Sequence, residues 1–173
     1  MGDLRDQIGD GRTALELLAS RIPGYQGYQD REMRRDADRL LRDHLAALLS
    51  EARQRLTRYQ AQLSSDKQFK PATDLSRVNR RLVRVLDRIK HSGYGYAGFF
   101  DPVKIEAAQL DQLYLYDVGL EEHVRRVGEA GTALAAATTA EERVALIATL
   151  ADEMDELDRM VDARAEAAAG LTP

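Results

Sequence analysis

The sequence predicts an all-α protein: an elongated, mostly antiparallel bundle of four to five helices with coiled-coil-like seams. It is expected to form one domain over 1–173, with a flexible tail over about 167–173. Three observations point there. Apolar residues recur at steps of three and four in several long stretches, as on one buried helix face. No stretch alternates apolar and polar residues in the manner of a half-buried strand. Proline and two Gly-Tyr phrases fall between the periodic stretches, where helices end.

Residues 3–21 form the first helical pattern, through Leu4, Ile8, Leu15, Leu18 and Ile22. Gly9-Asp10-Gly11 weakens its middle, and Thr13 with Glu16 three positions later is a capping box that can set the true start. Pro23-Gly24 ends it. Asp30 can cap the next helix, whose apolar positions include Met33, Ala37, Leu40, Leu41, Leu45, Ala52, Leu56 and Leu63. It spans about 35 residues, on the order of 50 Å, and its charged residues, such as Arg39 and Asp43, are expected on solvated faces. Ser64 to Pro71 reads as a loop. Thr73 or Asp74 then caps a helix to about Ser92, with Leu75, Val78, Leu82, Val85 and Ile89 stepping 3-4-3-4.

Asp101-Pro102 is a good start for the next helix, because Asp accepts from free N–H groups and proline lacks one. Its apolar positions run from Ile105 to Val127, with Gly119 inside and Gly128 and Gly131 weakening the end. Thr139-Ala140-Glu141-Glu142 is a second capping box. The last helix follows, through Val144, Ile147, Leu150, Met154, Leu157 and Val161.

Lengths and charge suggest an arrangement. The 75–92 helix can cover only the distal half of the 30–65 helix, leaving the proximal half to the N-terminal helix. The basic 75–90 segment and the acidic 140–168 segment are natural neighbours, although exposed pairs add only about 0–1 kcal/mol each.

Composition narrows the function classes. The chain is 44% apolar and 31% charged, a globular balance. It has no cysteine, which excludes disulfides, thiolate metal sites and cysteine nucleophiles. The start lacks a signal-peptide pattern, Gly2 lacks a myristoylation context, and no window suggests a membrane span. A cytoplasmic protein is expected.

The aromatic residues concentrate in two phrases. Tyr25 and Tyr28 lie in the first, and Tyr94, Tyr96, Phe99 and Phe100 in the second. Such rings either plug gaps at helix ends or form a recognition surface, since tyrosine joins an apolar body to a polar tip. Gly93-x-Gly95-x-x-Gly98 has dinucleotide-loop spacing but follows a helix rather than a strand, so that reading is set aside. Arg77, Arg80, Arg81, Arg84 and Arg88 form a candidate basic surface. The net charge of −4 and the acidic last helix argue against nucleic acid as its target.

The acidic run from Asp152 to Asp158 lacks the Glu-x-x-His partners of di-iron bundles, so no metal is expected. His44 reads as a core-edge residue and His123, after Glu121-Glu122, as solvent-facing. No catalytic, cofactor-binding or metal-binding residues are assigned, and no cofactor is expected.

The phrases Ile22-Pro23-Gly24-Tyr25-x-Gly27-Tyr28-x-x-Arg31-Glu32 and Gly95-Tyr96-x-Gly98-Phe99-Phe100-Asp101, with Leu113-Tyr114-x-Tyr116-Asp117, resemble an uncharacterised group of bacterial all-helical proteins. That resemblance carries no activity to any residue. The expectation is a non-enzymatic helical scaffold or adaptor that binds a protein partner or a second copy. The alternative is a small-ligand- or metal-binding bundle using Tyr94, Tyr96, Tyr114, Tyr116 and His44. Nucleic-acid binding through the 77–90 helix ranks below both.

Overall fold

The computed structural model describes residues 11–28, 31–91 and 107–169. Five helices account for most of them: α1 Gly11–Arg21, α2 Arg31–Ser65, α3 Phe69–His91, α4 Ala107–Ala136 and α5 Ala140–Ala169. No strand occurs among the described residues. None of the described helices is long and apolar enough to cross a membrane.

Neighbours follow from where each helix buries its stripe. The four long helices form a ring in which α2 packs on α3, α3 on α5, α5 on α4 and α4 on α2. Short turns make the α2–α3 and α4–α5 pairs antiparallel. Arg55 of α2 bonds Thr132 of α4, and Arg81 of α3 bonds Asp155 of α5. With Asp38 and Asp117 linked through Arg164 at the other end, α2 and α4 run parallel. A common core of Leu41, Leu49, Leu56, Leu75, Leu82 and Leu113 is fully buried inside the ring. The basic and acidic helices are neighbours, as their charges suggest.

Several boundaries differ from the sequence expectation. Helix α1 begins at Gly11, ahead of the Thr13 cap, and residues 3–10 lie outside the described set. Helix α3 begins at Phe69, not after Asp74. Pro71 does not prevent this, because first-turn N–H groups have no acceptor within the helix. The preceding turn is closed by Gln68 N donating to Leu63 O at 2.8 Å and Lys67 N to Ser64 O at 3.2 Å, with Lys67 left-handed at φ 59. That is a Schellman ending with lysine in the position glycine usually fills. The Asp101-Pro102 start lies outside the described residues. Helix α4 continues past Gly128 and Gly131 to Ala136, and α5 runs to Ala169, into the stretch expected to be loose, with Ala168 buried.

The capping box at the start of α5 is present as predicted. Glu142 N donates to Thr139 Oγ1 at 3.2 Å, while Thr139 N donates back to Glu142 Oε2 at 3.1 Å. Those N–H donors hold the Glu142 carboxyl below the usual carboxylate range.

Helix α1 departs most from expectation. It packs on α4 rather than along the proximal half of α2. Helix α4 therefore meets α1, α2 and α5 and is buried on nearly every side over 113–124. Polar residues on it cannot all reach water.

Candidate functional site

The polar residues trapped by α4 are the most unusual feature of the interior. Asp38 on α2, Asp117 on α4 and Arg164 on α5 are buried, at 0%, 0% and 4% exposure, with Tyr28 of the first Gly-Tyr turn at 0%. Each charged residue stands where a seam residue is due. Arg164 continues the 3-4 spacing of Leu157, Val161 and Ala168. Asp117 lies one turn beyond Tyr114, and Asp38 one turn before Leu41.

The turn that delivers Tyr28 depends on glycine. Gly24 and Gly27 have φ values of 80 and 83, a region costly for residues with a Cβ. A Cβ on Gly27 would stand 2.6 Å from the Tyr114 hydroxyl oxygen and 2.8 Å from Leu15 Cδ1. The close approach lets Tyr28 N donate to the Tyr114 hydroxyl at 2.7 Å. The Tyr28 and Tyr114 rings stack with centroids 5.2 Å apart, and Tyr25 meets Tyr28 edge-on at 6.0 Å.

From there the hydrogen bonds form a connected set. The Tyr28 hydroxyl donates to Asp117 Oδ2 at 2.6 Å, and Arg164 Nε donates to Asp117 Oδ1 at 2.5 Å. Arg164 Nη2 donates to Tyr28 Oη at 3.1 Å and to Asp38 Oδ1 at 3.0 Å. Arg42 Nε donates to Asp38 Oδ2 at 2.8 Å, and its Nη1 reaches the Lys90 carbonyl at 3.1 Å. One connected set therefore joins α2, α3, α4, α5 and the turn after α1.

Among the described residues the set places two guanidinium groups against two carboxylates. Burial pulls Arg164 down, but Asp117, Tyr28 and Asp38 outweigh it and hold the guanidinium well above its usual range. Burial pushes the Asp117 carboxyl up, against the opposing pull of Arg164 and the Tyr28 hydrogen bond. Burial also raises the Tyr28 and Tyr25 phenols, with Asp117 adding to both. The arrangement can lock helix register; its proton-transferring atoms face each other rather than solvent.

Two more buried pairs lie on α4. Glu121 accepts from Arg21 of α1. His123 is buried at 4% exposure, with Nδ1 2.6 Å from Glu153 Oε2. The expected solvent-facing His123 is thus corrected: it points at α5, because α4 has little free surface at this level. Asp38 corrects the solvated-face reading of charges on α2 in the same way. Val144 is also not a core residue, being 62% exposed. It lies three positions before Ile147, as Ile147 lies before Leu150, and two successive three-residue steps rotate it off the seam. Arg143 takes the inward place and bonds Gln68 at 3.3 Å.

The sequence-predicted aromatic residues divide. Tyr25 and Tyr28 are buried together at 4% and 0% exposure, whereas Tyr94, Tyr96, Phe99 and Phe100 lie outside the described residues. Tyr114 is buried with the first pair, and Tyr116 and His44, on α4 and α2, are half-buried.

The candidate basic residues share one helix but not one role. Arg81 and Arg88 bond α5 carboxylates, at 2.8 Å to Asp155 and 2.6 Å to Asp158, with Asp162 also held by Arg88. Arg77 pairs with Asp74 on its own helix, Arg80 bonds Ser76, and Arg84 is exposed. Among the described residues no group of three or more His, Asp or Glu side chains is placed to hold a metal ion.

Two open grooves follow helix seams. One, about 610 Å³, runs between α3 and α5; the other, about 540 Å³, runs between α2 and α4 past Leu48, Val124 and Gly128. No protein-family model, curated protein or solved structure matches this chain.

Proposed function

We propose that this chain is a non-enzymatic helical scaffold or adaptor, acting in the cytoplasm through protein–protein contacts or self-association. The observation that carries the reading is a division of labour. Tyr28, Asp38, Asp117 and Arg164, the side chains with the most chemistry to offer, are consumed in tying helices together. Among the described residues, the two large apolar side chains left exposed lie together on one side. Phe69 is 66% exposed and Val144 62%, and they adjoin the bonded pair Gln68 and Arg143. Exposed apolar surface beside an open groove is a common mark of an interaction site.

The test is a paired measurement on wild type and two surface variants, Val144→Asp in the α3–α5 groove and Leu48→Asp in the α2–α4 groove. Molar mass by light scattering and affinity capture from the source cell are read together. The expected result is a mass above that of a monomer, or a captured protein, that is lost with one variant while helicity is kept. A monomer capturing nothing that either substitution removes would contradict the proposal.

A further inference from the structure

We infer that the α3–α5 face is the contact surface for a second copy of this chain, packed about a two-fold axis parallel to the helices. This deepens the reading above and rests on it. The face is divided lengthwise by charge. Its α3 side presents Arg77, Arg80 and Arg84, all exposed; Asp74 offsets Arg77 alone, and among the described residues neither Arg80 nor Arg84 makes an ion pair. Its α5 side presents Asp152 and Asp155, both exposed, the second already shared with Arg81 of the same chain. Between them the groove floor is apolar, with two alanines: Val78, Ile147, Ala148 and Ala151, and Val144 beside them.

A surface that is basic on one side and acidic on the other is complementary to itself under one kind of rotation. A two-fold axis along the helices lays α3 of each copy on α5 of the other. A perpendicular axis in the same plane would lay arginine on arginine. The level of contact follows from the pairs within one chain. Arg81–Asp155 and Arg88–Asp162 are each separated by 74 positions. The parallel axis keeps that level, so Arg77 and Arg80 of one copy arrive within a turn of Asp152 and Asp155 of the other. Small residues on the floor allow the helices to approach closely.

Size also suits. The 23 residues of α3 give a face about 35 Å long and about 20 Å wide across two helices, on the order of 700 Å² per copy. Specific interfaces bury about 800 Å² per partner, so a reversible dimer is expected. Long exposed arginines meeting carboxylates make it salt-sensitive.

The test is sedimentation velocity on the full chain across the micromolar range, at low and high salt. Helicity of every variant is checked by circular dichroism. Wild type is expected to dimerise, more weakly at high salt. Val144→Asp should raise the dissociation constant at least about tenfold, since it places two carboxylates near the axis. Arg77→Glu/Arg80→Glu and Asp152→Arg/Asp155→Arg should each be monomeric alone and recover a dimer when mixed.

A wild-type monomer throughout, a dimer indifferent to these substitutions, or no recovery on mixing would overturn the inference. A monomeric wild type that captures a different protein through this groove would overturn the dimer and leave the scaffold reading standing. Retention on nucleic acid through Arg77, Arg80 and Arg84 would overturn both.

Discussion

Arg164 is the residue on which the interior turns. It is buried with two carboxylates and a phenol, and removing one partner of such a set leaves the others charged in a medium that solvates them poorly. Arg164→Met is therefore expected to cost about 3–5 kcal/mol, read from the urea midpoint. Replacing Tyr28, Asp38, Asp117 and Arg164 together by Phe, Leu, Leu and Met removes the fully buried charges, leaves the partly exposed Arg42 to the Lys90 carbonyl and solvent, and should restore most of that loss. A single substitution costing under about 1 kcal/mol would show that the ion pairs are solvated after all.

The phenols give a second expectation at this scale. Tyr25 and Tyr28 are held above their ordinary value, chiefly by burial. An unfolded tyrosine titrates near about pH 10. Above that pH the unfolded chain releases protons that the folded chain retains, so stability falls as pH rises. The contribution of these two phenols is complete below the unfolded value and is lost above it. Each removes about 1.4 kcal/mol per pH unit in that range. Burial raises the Tyr114 phenol as well, so absorbance at 295 nm should show Tyr25, Tyr28 and Tyr114 ionising only with alkaline unfolding, and one fewer for Tyr28→Phe.

At the scale of the element, local chemistry was legible and tertiary context was not. The Thr139–Glu142 box is visible in four consecutive residues because both hydrogen bonds close within them. The α3 start precedes the expected Thr73 or Asp74 cap because Pro71, in a first turn, displaces no hydrogen bond. The Lys67 ending gives no glycine or asparagine signal, so its left-handed residue could not be foreseen. Relieving that conformation should help: Lys67→Gly is expected to stabilise the protein by up to about 1 kcal/mol, seen as a raised thermal midpoint. An unchanged or lower midpoint would mean the lysine stem contributes packing that glycine lacks.

Helix α4 carries the larger lesson. Asp117, Glu121 and His123 resemble a solvated run until α1, the turn after it and α5 are laid over them. A signal was nonetheless present. Asp117 and Glu121 share the face of Tyr114, and Arg164 holds a seam position, so charges in apolar register were the clue to a buried set. Which charges would meet could not be read, because Tyr28 and Arg164 stand 136 positions apart.

For the whole molecule, the all-α class and the α3–α5 neighbourhood follow from spacing and charge, whereas the seat of α1 follows from neither. Its own apolar stripe could serve any helix in the ring. What selects α4 is the glycine turn that brings Tyr28 to Tyr114 and Asp117, together with Arg21 reaching Glu121. The same partition explains why the accessible surface, rather than the interior, is where function is proposed.

The separation of the buried set from the outer face is decided by the molar mass, over a concentration series, of the variant combining Tyr28→Phe, Asp38→Leu, Asp117→Leu and Arg164→Met. A helical protein that associates as wild type does is expected, because its outer face is untouched. A variant that keeps its helicity yet loses association would show instead that the buried set serves the contact itself.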